Sequence, residues 1–220
     1  MQRAPWAAGL LFGVSLAIVV ILAGPLLLFN PWFTSALQAR HGVAEALSTT
    51  APEVDRVTGE ILGDLYLDGP FDAALSGDEP ILNERERSHM HDVAVLVRIL
   101  VGVLIMALVL GGVALAWLRR EPARIGRIML VVGGVIGGVA ILLAGVFAVA
   151  FEPAFLAFHE LFFPPGTYLF EPGSKLITLF PEGFWFDAAL AAGATVVIAA
   201  LLVTVIGLRL WRRRPLPASA

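Results

Sequence analysis

The run VAVLVRILVGVLIMALVLGGVALAWL, Val93 to Leu118, decides the fold class. It holds 26 residues and one charge, Arg98. Wound as an α-helix it is about 39 Å long, enough to cross about 30 Å of hydrocarbon. A helix that is apolar all round over this length has no place on the surface of a soluble domain. Three more runs share the character: Trp6–Phe29, Ile128–Phe151 and Ala188–Leu208. The whole chain agrees, with 58% hydrophobic and 15% charged residues in 220. Soluble domains carry roughly 25% charged residues, so a soluble fold and a disordered chain are both excluded. A net charge of −3 excludes a strongly basic nucleic-acid binder. The expected fold is an all-α membrane protein. It is a four-transmembrane-helix bundle of one membrane domain over 1–220, with two loops, 30–92 and 152–187, forming a partly helical cap.

The first span has the look of a signal peptide, but its apolar run is longer than an h-region and only Arg3 precedes it. Pro25 follows Leu22-Ala23-Gly24 where a lipidated cysteine would stand, so an uncleaved helix is expected. Basic residues set the orientation. Arg119, Arg120, Arg124 and Arg127 lie between spans two and three. Arg209, Arg212, Arg213 and Arg214 lie in the tail, 209–220, where Pro215 and Pro217 argue for disorder. With Arg3 they make nine of fifteen basic residues, and only Glu121 of the eighteen acidic residues sits among them. Both termini are thus expected in the cytoplasm of a multi-pass protein of the bacterial cytoplasmic membrane, with both long loops outside. Gly133, Gly134, Gly137 and Gly138 form two small-xxx-small pairs that let another helix approach. Packing within the bundle is the plain reading, so a monomer is expected.

The loops carry the chemistry. Thr50-Ala51-Pro52-Glu53 is a capping-box start. Val54, Val57, Ile61 and Leu65 follow at helical spacing, a face that can lie on the bilayer or cap the bundle. Asp68-Gly69-Pro70 ends that helix. Asn83-Glu84-Arg85-Glu86 starts a second helix that runs into the second span. There Arg85 and His89, and His89 and Asp92, are helical neighbours. Arg98, about 1.5 turns into the span, can snorkel outward, pair structurally or touch a substrate headgroup. The second loop is rich in aromatics from Phe151 to Phe163 and at Phe180, Phe184 and Trp185, as suits the membrane interface. His159 lies within it and needs a partner, Glu152 or a residue of the first loop.

Three of the four histidines, His89, His91 and His159, gather at one mouth of the bundle; His41 stands apart and is expected to be dispensable. Acid–base chemistry suits such a cluster. A metal does not: the His89-x-His91 rings point about 200° apart on a helix, and no His-Glu-x-x-His pattern occurs. No metal and no cofactor is expected. The absence of cysteine removes thiol nucleophiles, and Ser88 does not face its neighbour His89 on a helix.

At these residues the chain resembles the lipoprotein intramolecular transacylases of bacterial membranes, four-span integral membrane proteins. The likeness rests on Asn83-Glu84-Arg85-Glu86, His89-Met90 and Asp92-Val93. It also rests on Phe158-His159-Glu160-Leu161-Phe162-Phe163, Leu176-Ile177, Leu179-Phe180-Pro181-Glu182 and Phe184-Trp185. These blocks fall in order on both loops and, with the span layout, cover most of the chain. One departure is Tyr168 in Gly166-Thr167-Tyr168, where the family pattern is Gly-Asn-Trp. His91 lies outside the motif.

The resemblance implies an acyltransferase whose partners are diacylglyceryl lipoproteins and membrane lipids. It would move an acyl chain from the sn-2 glycerol ester of a diacylglyceryl-cysteine to its free α-amine, leaving an N-acylated lyso-type lipoprotein. The residues suit that chemistry. His89 and His159 can divide the base and acid roles. Arg85 can serve as an oxyanion or headgroup donor, and Glu84, Glu86 or Asp92 can orient an imidazole, with Glu160 and Tyr168 as further supporting groups. Phe158, Phe162, Phe163 and Trp185 can cover acyl chains, with Arg98 at headgroup level. The substrate supplies both nucleophile and ester, so proximity comes with it. The competing readings are a non-catalytic membrane subunit or small transporter, and another lipid acyltransferase or hydrolase at the same surface. No carboxylate or histidine lies deep in a span, which argues against a transporter.

Overall fold

The computed structural model describes residues 5–75 and 79–212. Arg3, Arg213, Arg214 and the proline-containing end of the tail lie outside them. The described residues form helices and no strand: α1 (Trp6–Leu28), α2 (Pro31–Arg40), α3 (Val43–Ala46), α4 (Ala51–Leu67), α5 (Glu84–Leu118), α6 (Pro122–Val149), α7 (Phe151–Phe162), α8 (Lys175–Leu179) and α9 (Glu182–Arg212). Four of these, α1, α5, α6 and α9, are 23, 35, 28 and 31 residues long and apolar enough to cross a membrane. Their large side chains stay uncovered by protein along most of their length, Val131, Leu142 and Ile105 among them. In water such a surface would drive aggregation; in a bilayer lipid covers it.

The described chain divides into two compact units. One comprises the chain up to Leu26, Gly102–Ala144 and the chain from Ala192. Its small core is Ala8, Phe12, Ala114, Leu118 and Ile125. Close helix approach is made by glycine: a Cβ on Gly133 would collide with Thr204 and come within 2.7 Å of the Ala200 carbonyl. Gly137 faces Ala200 in the same way, whereas Gly134 and Gly138 face open space. Only one of the two expected small-residue pairs packs against α9, because neighbouring residues on a helix point about 100° apart.

The other unit comprises Leu27–Val101 and Gly145–Ala191. Its core gathers Val54, Val57, Ile61 and Leu65 of α4 with Phe71, Leu82, Met90, Leu176 and Leu179. The α4 face predicted from spacing is therefore buried against protein rather than spread on a bilayer. Thr50 caps α4 without a side-chain hydrogen bond. Glu53 turns instead to Arg56, 2.6 Å away, so the expected capping box stays open. Asp68, in the left-handed region at φ 61°, ends α4 at the predicted turn. Beneath this layer a buried Gln38 joins three elements. Its Nε2 donates to the Leu179 carbonyl at 3.1 Å, and its Oε1 accepts from the Thr58 hydroxyl at 3.0 Å.

Candidate active site

The start of α5 is fixed by a closed capping box. The Glu86 amide donates to Asn83 Oδ1 at 3.0 Å, and the Asn83 amide donates to Glu86 Oε2 at 2.8 Å. The other carboxylate oxygen, Oε1, accepts the Ser174 hydroxyl and, at 3.1 Å, the Leu176 amide. Glu86 is 1% exposed. A carboxyl group buried this far needs hydrogen-bond partners on both oxygens. Ser174 also caps α8 by accepting the Ile177 amide. One carboxylate thus ties the first turn of α5 to the first turn of α8.

One turn beyond Glu86 stands His89, 6% exposed. It belongs to the polar stretch Glu84–Asp92 that precedes the apolar run of α5. Its ring is edge-on to Phe163, at 4.9 Å between centroids, and to Phe170, at 5.5 Å. The helix α7 brings His159 alongside, with ring centroids 6.1 Å apart and planes inclined by 26°. Phe155, Phe158, Phe163 and Tyr168 surround that second imidazole at 4.3 to 5.5 Å. His159 Nδ1 lies 2.8 Å from the Phe155 carbonyl, one turn back. A carbonyl only accepts, so Nδ1 carries the proton and Nε2 of the neutral ring keeps its lone pair. Its hydrogen-bond partner is backbone, neither Glu152 nor a residue of the first loop, the two expected sources. His89 Nδ1 is buried with no hydrogen-bond partner among the described residues. Burial first, and then the neighbouring His159, push the His89 imidazole down to about 4.

Two imidazoles in an aromatic cage, one with a fixed tautomer and one held neutral, can move a proton and donate to an oxyanion without a metal. Among the described residues no group of three or more His, Asp or Glu stands together as a metal site.

The family model for the lipoprotein intramolecular transacylase Lit matches residues 10–185. The chain belongs to the Lit family. Its fold resembles that of the membrane-integral Lit from Bacillus cereus, with a TM-score of 0.80 at 20% identity over 94% of this chain and 95% of that one. Two further structures of the Bacillus cereus protein carry a histidine replaced by arginine or by alanine. They give TM-scores of 0.75 and 0.76 at 17% identity, covering 94% of this chain and 92% or 93% of theirs. No curated protein sequence matches the chain. The all-α, four-span membrane fold expected from the sequence is the Lit fold, and the chain is a multi-pass membrane protein of a transacylase family.

In this Lit-family chain the motif residues do not all converge. Arg85 is on the rim: its Nη2 donates to the Gly166 carbonyl at 2.9 Å and its guanidinium lies 5.7 Å from the Phe170 ring. Glu86 serves Ser174 and Leu176 rather than an imidazole. Glu84 and Asp92 line an open groove with His91, Ser88, Arg87 and Asp68–Pro70. His91 meets Phe71 edge-on at 5.0 Å. Glu160 is exposed on α7. Phe162 packs at a tilt against Phe158, at 4.9 Å, and Trp185 against Phe155, at 6.1 Å, one ring removed from the histidines. Arg98 is engaged by Asp68 at 2.6 Å, the structural pairing among its expected uses.

Sequence reasoning missed Phe170, Ser174 and the Phe155 carbonyl. Ser174 was within reach, since a serine before Lys175-Leu176-Ile177 is an N-cap signal. The other two depend on how distant segments fold together.

Proposed function

We propose that this Lit-family chain transfers the sn-2 acyl chain of a diacylglyceryl-cysteine lipoprotein to that lipoprotein's own α-amine. The observation that carries the reading is the His89–His159 pair, 6.1 Å apart in an aromatic cage. Nε2 of His159, with its Nδ1 proton committed to Phe155, takes a proton from the amine as nitrogen attacks the ester carbonyl. A carbon–nitrogen bond forms and a tetrahedral oxyanion results. Neutral His89 donates a hydrogen bond to that oxyanion, and Arg85 supports it from the rim. The carbon–oxygen bond to glycerol then breaks, and His159 returns its proton to the leaving alkoxide. Atoms and charge balance with no acyl-enzyme, because both reacting groups belong to one substrate. Phe158, Phe162, Phe163 and Trp185 cover the acyl chains.

The arginine distribution supports cytoplasmic termini and a reaction at the outer leaflet of a bacterial cytoplasmic membrane. The chain works as one membrane domain, as a monomer, without cofactor or metal. Its polypeptide partners are diacylglyceryl lipoproteins. The test is tandem mass spectrometry of a reporter lipoprotein, co-expressed in a host lacking other N-acylation. Intramolecular transfer conserves total mass, so fragmentation must place the acyl group on the cysteine nitrogen. An acyl group still on glycerol contradicts the reading.

A further inference from the structure

We propose that His41 is a positioning residue for this transfer: by holding Asp187 it fixes the first two turns of α9 and, through Trp185 and Phe186, the helix that carries His159. The proposal rests on the reading of His89 and His159 as the reacting pair.

His41 is the residue that ends α2. Its Nε2 lies 2.9 Å from Asp187 Oδ2, and Arg40 Nε reaches the same oxygen at 3.3 Å. The imidazole rests against the α9 backbone so closely that a Cβ on Gly183 would lie 2.6 Å from its Cε1. One turn earlier on α2, Gln38 holds the Leu179 carbonyl. The same short helix therefore grips the chain on both sides of the segment that leads into α9.

Asp187 follows directly on Trp185 and Phe186. Trp185 packs on Phe155 at 6.1 Å, and Phe186 meets Phe151 edge-on at 5.4 Å. Phe151 and Phe155 are one turn apart on α7, a helix that buries none of its own residues. With no buried side chain to fix it, α7 takes its position from such aromatic contacts. Phe155 is the residue that addresses His159: its ring is 4.3 Å away and its carbonyl sets the tautomer. Contact thus runs from His41 through Asp187 and two aromatic pairs to the proposed base. Misplacing a catalytic group by about 1 Å can cost about 10²-fold in rate.

The experiment uses the purified full-length protein in detergent–phospholipid micelles, with a diacylglyceryl-cysteinyl lipopeptide bearing a free amine. His41→Ala should lower kcat by about tenfold or more with KM within about twofold, a loss confined to the reacting geometry. His41→Gln, which can still donate to Asp187, should restore most of kcat. A wild-type kcat in His41→Ala overturns the proposal, as does a loss that His41→Gln does not relieve. If His41→Ala does not fold, Asp187→Leu, which offers the imidazole no acceptor, tests the same contact and should lower kcat several-fold; an unchanged kcat there overturns it equally. His89→Ala is run in parallel. Full activity in that variant defeats the catalytic reading itself, whereas an inert His89→Ala beside a fully active His41→Ala defeats the positioning role alone.

Discussion

The imidazoles of His89 and His159 lie 6.1 Å apart at an interplanar angle of 26°, although 70 positions separate them in the chain. Two different devices bring them together. His89 is carried by the first turns of α5, which Asn83 and Glu86 cap reciprocally. His159 is carried by α7, whose rings interleave with those of the α9 start. Phe163 is in ring contact with both.

Burial of His89 gives the protein a pH-dependent stability of definite sign. Its imidazole titrates at about 4 in the folded chain and near 6.5 when unfolded. Between those values the unfolded chain binds a proton that the folded chain refuses. The contribution is complete above about pH 6.5 and is lost as pH falls toward 4. Thermal unfolding in detergent, followed from pH 7 to pH 4, should show a steeper loss for the parent than for His89→Gln. Equal slopes would contradict the assignment.

Glu86 should act on stability before it acts on chemistry. Glu86→Gln keeps the shape but replaces an acceptor with an amide that cannot satisfy every donor now facing it. A cost of about 1–3 kcal/mol is expected, and more for Glu86→Ala. Denaturation midpoints of both variants provide the check. A Gln variant as stable as the parent would mean that pairing both carboxylate oxygens carries little weight.

Much of this was legible in the sequence. The four spans needed only length and hydropathy, because a helix in lipid must be apolar all round. The Asn83–Glu86 box and the Val54–Leu65 face are periodic signals over a few residues, and both face the partners that such spacing implies. The Thr50 box failed because a nearby arginine, Arg56, outcompeted the backbone for Glu53. The two-glycine reading of α6 failed at Gly134 and Gly138, since spacing alone does not say which side α9 takes. His89 and His159 could be named from the motif. That His159 is oriented by its own helix backbone, and that His41 meets Asp187 across 146 positions, depends on tertiary packing that no local pattern encodes.

Orientation in the membrane can be read with single cysteines, because the chain has none of its own. Asp72 and Glu171 are exposed in the loop unit, and Arg120 is exposed in the arginine-rich connection. Asp72→Cys and Glu171→Cys should react with an impermeant maleimide in intact cells. Arg120→Cys should react only after permeabilisation. The reverse pattern would invert the topology.

The proposed role of the His89–His159 pair in moving the acyl chain can be read from the product itself. Tandem mass spectrometry of the reporter lipoprotein gives the fraction acylated on the cysteine nitrogen for the parent, His89→Ala and His159→Ala, each at matched levels of folded protein. Positioned acid–base groups contribute about 10²–10⁴-fold, so the parent should convert the reporter while both variants leave the acyl group on glycerol. Full N-acylation by either alanine variant would contradict the account.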